Sequence, residues 1–189
     1  YHIEDHQPSD RIGIGIIRPE LFREYMYYVN SDYLKDMYFA LVKKLCEAGY
    51  EVEFFCNGFD ADARFIRETF KQYPSLNMRY NVTMSVPRTP SALVTTIASY
   101  DRYTACRLHA SIIGYSLGVP NLNLVWNTKQ QFFGKQTGMQ QNYLTRESFD
   151  EDILYEKLLA LEYFSVDKEY KNTVRRGIKK SLETALKEQ

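Results

Sequence analysis

The sequence has no excess of charge of either sign and no long apolar run. Its 24 lysines and arginines balance 24 aspartates and glutamates over 189 residues, which excludes the broad basic surface on which nonspecific nucleic-acid binding depends. A membrane-spanning helix needs about 20 consecutive apolar residues, and no stretch approaches that length. We therefore expect a soluble protein with no membrane span and no nucleic-acid partner.

Cysteine is also scarce, and several common catalytic motifs are missing. Cys46, Cys56 and Cys106 are widely spaced and form no CxxC pair, which predicts reduced thiols in a cytoplasmic protein without a structural metal. There is no Walker or HExxH motif. The run Gly13-Ile14-Gly15 is not a dinucleotide fingerprint, because Arg18 occupies the third glycine position and the run lies inside a predicted strand. We expect no nicotinamide cofactor.

What the chain does have is a regular alternation of short apolar runs and helical periodicity. Residues 1–10 are polar and read as a lead-in, and residues 11–189 as one domain. The predicted strands are Ile12–Ile17, Tyr50–Cys56, Met78–Met84, Tyr103–Cys106 and Asn121–Trp126. The predicted helices run from Ser31 or Asp32 to Gly49, from Asp60 to about Tyr73, over Ser91–Ser99 and Ala110–Leu117, onward from near Thr128, over Asp150–Glu162, and over a closing segment, 166–187.

Strands that alternate with helices in this way form a parallel sheet with helices on both faces. We therefore predict an α/β, Rossmann-like sheet of about five or six strands. The first strand, Ile12–Ile17, is apolar throughout, which is typical of a central strand that helices cover on both sides.

Four cationic or titratable side chains follow the ends of predicted strands. Arg18 follows the first strand, Arg107 and His109 follow Tyr103–Cys106, and Lys129 follows Asn121–Trp126. Ligands of open parallel sheets bind beyond the carboxyl ends of the strands, and a helix N-terminus there favours an anion. The pattern predicts one cleft for a carboxylate or phosphate. The alternatives are surface ion pairs for Arg18, Arg107 and Lys129, and backbone capping by His109.

The segment from Arg107 to Pro120, RLHASIIGYSLGVP, resembles the signature of the polysaccharide pyruvyl transferase family. Its surroundings follow the family order as well, and the similarity covers about residues 11–145. The opening strand with Arg18, IGIGIIRP, resembles the start of the family's C-terminal half. Family members often carry an Asp-Pro-Lys step where this chain has Asn127-Thr128-Lys129. The flanking features that match are Thr89-Pro90, Asp101, Lys129, Phe133 and Gly138.

The resemblance implies the C-terminal half of a two-domain, GT-B-like enzyme whose N-terminal half is absent from this chain. Its implied reaction transfers the pyruvyl group of phosphoenolpyruvate to sugar hydroxyls of a surface polysaccharide or its lipid-linked precursor, as a pyruvate ketal. A lipid-linked acceptor would place the enzyme at the inner face of the membrane. The half-enzyme alone is expected to be inactive.

The implied roles fit the chemistry of the residues. Arg18, Arg107 and Lys129 would bind the donor's anions, and His109, with Arg107, would act in catalysis, the imidazole as acid and base. The scheme needs no cofactor and no metal. The alternative is a nucleotide-sugar-dependent glycosyltransferase of the same architecture, in which Glu147 or Asp150 would bind ribose hydroxyls. A non-catalytic binding module on the same fold is a third possibility.

Overall fold

The computed structural model describes residues 9–24, 28–165, 169, 172–177 and 179–180. The strands are β1 (Arg11–Gly15), β2 (Glu51–Phe55), β3 (Thr83–Ser85), β4 (Arg102–Ala105), β5 (Asn121–Leu124) and β6 (Tyr143–Leu144). They form a six-stranded, fully parallel sheet in the order β3-β2-β1-β4-β5-β6, which confirms the predicted α/β, Rossmann-like class. The first strand pairs with neighbours on both sides, as its apolar sequence predicts.

Helices cover both faces of this sheet. The helices are α1 (Glu20–Glu24), α2 (Ser31–Glu47), α3 (Asp60–Gln72), α4 (Ser75–Met78), α5 (Pro90–Ala98), α6 (Leu108–Leu117), α7 (Thr128–Gln136) and α8 (Glu151–Leu159). Apolar side chains of α2, α3 and α8 pack on one face against β1, β2 and β5, and those of α5 and α6 pack on the other. Parallel crossovers are right-handed, so the change of direction after β3 places α5 and α6, which connect β3 to β4 and β4 to β5, on the second face.

The glycines of β1 serve packing. A Cβ on Gly13 would lie 2.4 Å from Cε2 of Tyr100. Tyr100 is fully buried and its hydroxyl donates to Glu53 at 2.6 Å, so the ring has little freedom to move. Glycine at position 13 therefore lets a large aromatic side chain pack directly against the central strand.

Replacing Gly13 by alanine is expected to destabilise the fold by about 1–3 kcal/mol, the usual cost of overpacking. Gly177→Ala is the matched control, because a Cβ there meets nothing within 4 Å and alanine favours a helix. Chemical denaturation of both variants measures the difference. Equal stability of the two variants would contradict the packing role of Gly13.

Three local predictions need correction. The predicted strand Met78–Met84 is wrong over most of its length: Pro74 begins the short helix α4, Asn81 takes a left-handed φ of 52°, and β3 starts only at Thr83. The stretch after Pro19, where no helix is predicted, contains α1. The side-chain cap of α2 is Asn30, which accepts from the N–H of Asp32.

Other local predictions hold. Gly49 and Gly118 follow α2 and α6 with positive φ, as expected of residues that end helices. The three cysteines are free thiols, and burial raises the pKa of Cys106 to about 12.

Much of the predicted closing segment, 166–187, lies outside the described residues, although 172–177 are helical. In the described ranges, no helix is both long and apolar enough to cross a bilayer.

Candidate functional site

The strand order reverses between β1 and β4, and this reversal marks the expected ligand-binding edge. From β1 the chain first builds outward through β2 and β3, then returns to the other side of β1 with β4. Ligands of such sheets bind at the carboxyl ends of the strands beside the reversal. Arg18 follows β1, Arg107 and His109 follow β4, and Lys129 follows β5.

His109 lies in the first turn of α6 with an unengaged imidazole. Arg107 is the N-cap residue of α6 and no side-chain hydrogen bond caps the helix. The N–H of Ser111 is bonded instead to the backbone carbonyl of Arg107, at 3.3 Å. The imidazole has no hydrogen-bond partner among the described residues. The structure therefore gives no support to a capping role for His109.

The imidazole lines a cavity of about 300 Å³ at the ends of β2, β3 and β4, which we call the His109 cavity. Arg88 contributes a guanidinium, Leu93 and Ile113 contribute apolar walls, and Asn57 and Phe59 come from the loop after β2. Helices α5 and α6 both begin beside this cavity. Cationic groups and helix N-termini around one cavity favour an anionic ligand.

Two exposed hydrogen bonds hold the Arg88 side chain beside this cavity. Its Nη1 donates to the carbonyl of Gly58 at 3.0 Å and its Nη2 to Asp60 at 2.7 Å. Hydrogen bonding to Arg88 lowers the pKa of the Asp60 carboxyl. Because the Arg88 and Asp60 side chains are 60% and 75% exposed, water screens the pair, and an incoming anion can compete for the guanidinium.

Arg107 is paired with a buried carboxylate. Its Nε and Nη2 donate to Oδ2 of Asp62 at 2.9 and 2.6 Å, and its Cζ lies 4.3 Å from the ring centroid of Phe59. Asp62 is fully buried, and its Oδ1 accepts from the backbone N–H of Arg18 at 3.1 Å. One carboxylate thus connects the loops that follow β1 and β4.

The four predicted residues do not share one of the cavities found at this edge. Arg18 lines a second cavity of about 300 Å³ together with Glu20, Arg64 and Glu68, while His109 lines the first. Lys129 is exposed in the first turn of α7 and lines neither. Arg107 contacts Phe59 of the His109 cavity and Asp62 of α3. Arg18 and His109 thus line separate cavities at this edge, and both the shared cleft and the roles of the four residues stay predictions.

Sequence reasoning missed three residues of this edge. Arg88 follows β3 just as Arg18 follows β1, so the same positional rule could have found it. Asn57 follows β2, and its Nδ2 is buried without a hydrogen-bond partner. Asp62 lies in the first turn of α3 beside one other acidic residue. Acidic residues in such a position ordinarily face solvent, so the sequence does not indicate that Asp62 is buried.

The acidic residues proposed for a nucleotide-sugar enzyme are engaged elsewhere. Oδ1 of Asp150 caps α8 by accepting from the N–H groups of Asp152 and Ile153. The carboxylate of Glu147 accepts from the hydroxyl of Thr145 at 2.5 Å. Within the part of the chain that the structure describes, no group of three or more His, Cys, Asp or Glu side chains is arranged to hold a metal ion.

Comparison with known proteins adds no family assignment. The chain matches no protein-family model and no curated protein sequence. The resemblance to pyruvyl transferases therefore rests on the residues between Arg107 and Pro120 and on those around them. Fold and site geometry are the independent observations from which a function can be argued.

Proposed function

We propose that this chain is the donor-binding half of a polysaccharide pyruvyl transferase and that phosphoenolpyruvate binds in the His109 cavity. The observation that carries the proposal is the unengaged imidazole of His109, at the uncapped N-terminus of α6, in a cavity that also contains Arg88. This combination offers an acid–base group and an anion-binding group to one small ligand.

The walls of the cavity suit the three chemical parts of phosphoenolpyruvate. Its carboxylate and phosphate need N–H donors and positive charge, which the first turn of α6 and Arg88 supply. Its methylene is apolar and fits against Leu93 and Ile113. The guanidinium of Arg107 lies over Phe59, which lines this cavity. Arg18 and Lys129 follow neighbouring strands at the same edge and remain predicted contributors to anion binding.

The proposed reaction joins one donor to two hydroxyls of a sugar. An acid protonates the methylene carbon, which becomes the methyl group and leaves an oxocarbenium-like centre at the next carbon. A sugar hydroxyl adds to that centre and gives up its proton to a base. Phosphate then leaves, and the second hydroxyl closes the ketal while its proton passes to the departing phosphate. His109 is the residue to which we assign proton transfer.

The proposed enzyme requires a second domain. In a two-domain enzyme with its site between the halves, the other half supplies the surface that binds the polysaccharide or its lipid-linked precursor. The chain alone should then bind the donor without releasing phosphate from it. A nucleotide-sugar glycosyltransferase of the same architecture would bind a nucleotide sugar in place of phosphoenolpyruvate.

Thermal denaturation of the chain with phosphoenolpyruvate, UDP-glucose or inorganic phosphate separates these activities. A ligand that binds only the folded state raises the melting temperature as its concentration exceeds the dissociation constant. We expect a larger rise with phosphoenolpyruvate than with phosphate, and none with UDP-glucose. A rise with UDP-glucose alone would support the glycosyltransferase and overturn the proposal.

Replacing Asn57 by alanine is expected to weaken phosphoenolpyruvate binding by about tenfold without lowering stability. The amide has no hydrogen bond among the described residues and its Nδ2 is buried, so the free protein gains nothing from it, whereas rotation of the amide can bring a donor to the ligand. Removing an unsatisfied buried donor relieves a cost of about 1–3 kcal/mol.

Thr104 offers the matched control for Asn57. Its Oγ1 is also buried without a partner, but Thr104 lies inside β4, away from the cavity lining. Thr104→Val should preserve or raise the melting temperature and leave the affinity unchanged. Calorimetric titration and thermal denaturation of both variants measure the two effects. Unchanged affinity in Asn57→Ala would remove Asn57 from the binding site.

A further inference from the structure

The carboxylate of Asp62 joins three elements at the point where the strand order reverses. Asp62 lies in the first turn of α3 and is fully buried. Its Oδ2 accepts both N–H groups along one edge of the Arg107 guanidinium, and its Oδ1 accepts the backbone N–H of Arg18. The loops after β1 and β4 are therefore held by the same side chain.

The pairing leaves one end of the Arg107 guanidinium unused. Nε and Nη2 are bonded to Asp62, whereas Nη1 has no acceptor among the described residues. The Arg107 side chain is 15% exposed, and its guanidinium lies over Phe59, which lines the His109 cavity. A guanidinium fixed along one edge has lost most of its rotational freedom, so its remaining donors are already ordered before a ligand arrives.

We infer that Asp62 is a positioning residue, which orients Arg107 so that Nη1 binds an oxyanion of the ligand in the His109 cavity. The same carboxylate fixes the backbone at Arg18. The identity of that ligand as phosphoenolpyruvate rests on the proposed function. The role of Asp62 itself can be tested with any phosphate oxyanion. The competing role is charge balance alone, in which Asp62 only neutralises Arg107.

The two roles predict opposite changes in phosphate affinity for the variant Asp62→Asn. Charge balance predicts tighter phosphate binding, because the variant removes a negative charge beside the anion. Positioning predicts weaker binding, because an asparagine amide presents its own N–H donors where Asp62 only accepts, and Arg107 leaves its place. We expect inorganic phosphate and phosphoenolpyruvate each to bind about tenfold more weakly, the effect of one misplaced charge-assisted hydrogen bond.

Asp60→Asn is the matched control. Asp60 lies in the same first turn of α3 and carries the same charge, but it is exposed and pairs with Arg88. Its neutralisation should leave phosphate binding unchanged or make it tighter. The Nε–H proton of Arg107 gives a second readout by nuclear magnetic resonance, because its slow exchange with water depends on the bond to Asp62.

Calorimetric titration of both variants with inorganic phosphate decides the inference. Weaker binding in Asp62→Asn alone, with loss of the Nε–H signal, is the expected result, and unchanged or tighter binding overturns the inference. Should Asp62→Asn fail to fold, Arg107→Lys keeps the charge and can still pair with Asp62, but it replaces the rigid, planar set of donors with a flexible ammonium group. Positioning then predicts the same loss of affinity, and wild-type affinity overturns it. If phosphoenolpyruvate binds no better than phosphate, the proposed function fails while the test of Asp62 remains valid.

Discussion

In the proposed pyruvyl transfer, His109→Ala is expected to lower turnover by about a hundredfold or more, the usual contribution of one positioned acid–base group. The imidazole has no hydrogen bond to any described residue and no side chain caps the helix on which it lies, so its removal costs the fold little. Donor affinity should fall less than turnover, because the proposed anion-binding groups, Arg88, Arg107 and the N-terminus of α6, are unchanged.

Turnover and melting temperature of His109→Ala are measured on one preparation, in the two-domain form that the proposed function requires and with a sugar acceptor present. His109→Gln is the matched variant, since its amide can donate a hydrogen bond but cannot transfer a proton at neutral pH. We expect both variants to be similarly slow and to melt near the wild-type temperature. A destabilised variant with full specific activity would remove His109 from the reaction.

Arg107→Ala is expected to destabilise the fold by about 3–5 kcal/mol, the cost of leaving a buried carboxylate without its partner. Asp62 is fully buried and, among the residues that the structure describes, would keep only the N–H of Arg18 as a hydrogen-bond donor. Under the proposed function, the loss should also weaken donor binding, because the guanidinium over Phe59 is gone. Denaturant unfolding and calorimetric titration measure the two effects separately.

Arg88→Ala provides the comparison for stability. It too removes an arginine from an aspartate, but the pair with Asp60 is exposed and screened by water, so it contributes little to stability. A large loss of stability in Arg107→Ala with a small one in Arg88→Ala is the expected pattern. Similar losses would mean that burial of Asp62 does not govern the energetics of this edge.

The fold was readable from the sequence where apolar periodicity is strong. The run after Arg11 predicts a central strand because every side chain there is apolar or glycine, and the structure places β1 between β2 and β4. The strand at Met78–Met84 was mispredicted because its alternation is weak and Pro74 favours a helix start. The two-residue strand β6 has too few side chains for any period to be detected.

The candidate site was only partly readable, because strand ends predict position but not orientation. The rule that ligands bind at carboxyl ends of strands selects Arg18, Arg107, His109 and Lys129, and all four follow such ends. It does not reveal which cavity each side chain lines, and Arg18 and His109 line different ones. The pairing of Arg107 with Asp62 depends on a contact between distant segments of the chain, which no local pattern encodes.

The most direct test of the account is a nuclear magnetic resonance titration of this chain with phosphoenolpyruvate. Binding in the His109 cavity predicts concentration-dependent shifts of the backbone signals of Asn57, Gly58, Arg88, Leu108 and His109, with smaller shifts of the same signals under inorganic phosphate. His109→Ala should retain most of the binding, whereas Arg107→Ala should weaken it. Absence of shifts at these residues with phosphoenolpyruvate, or shifts there with UDP-glucose alone, would contradict the account.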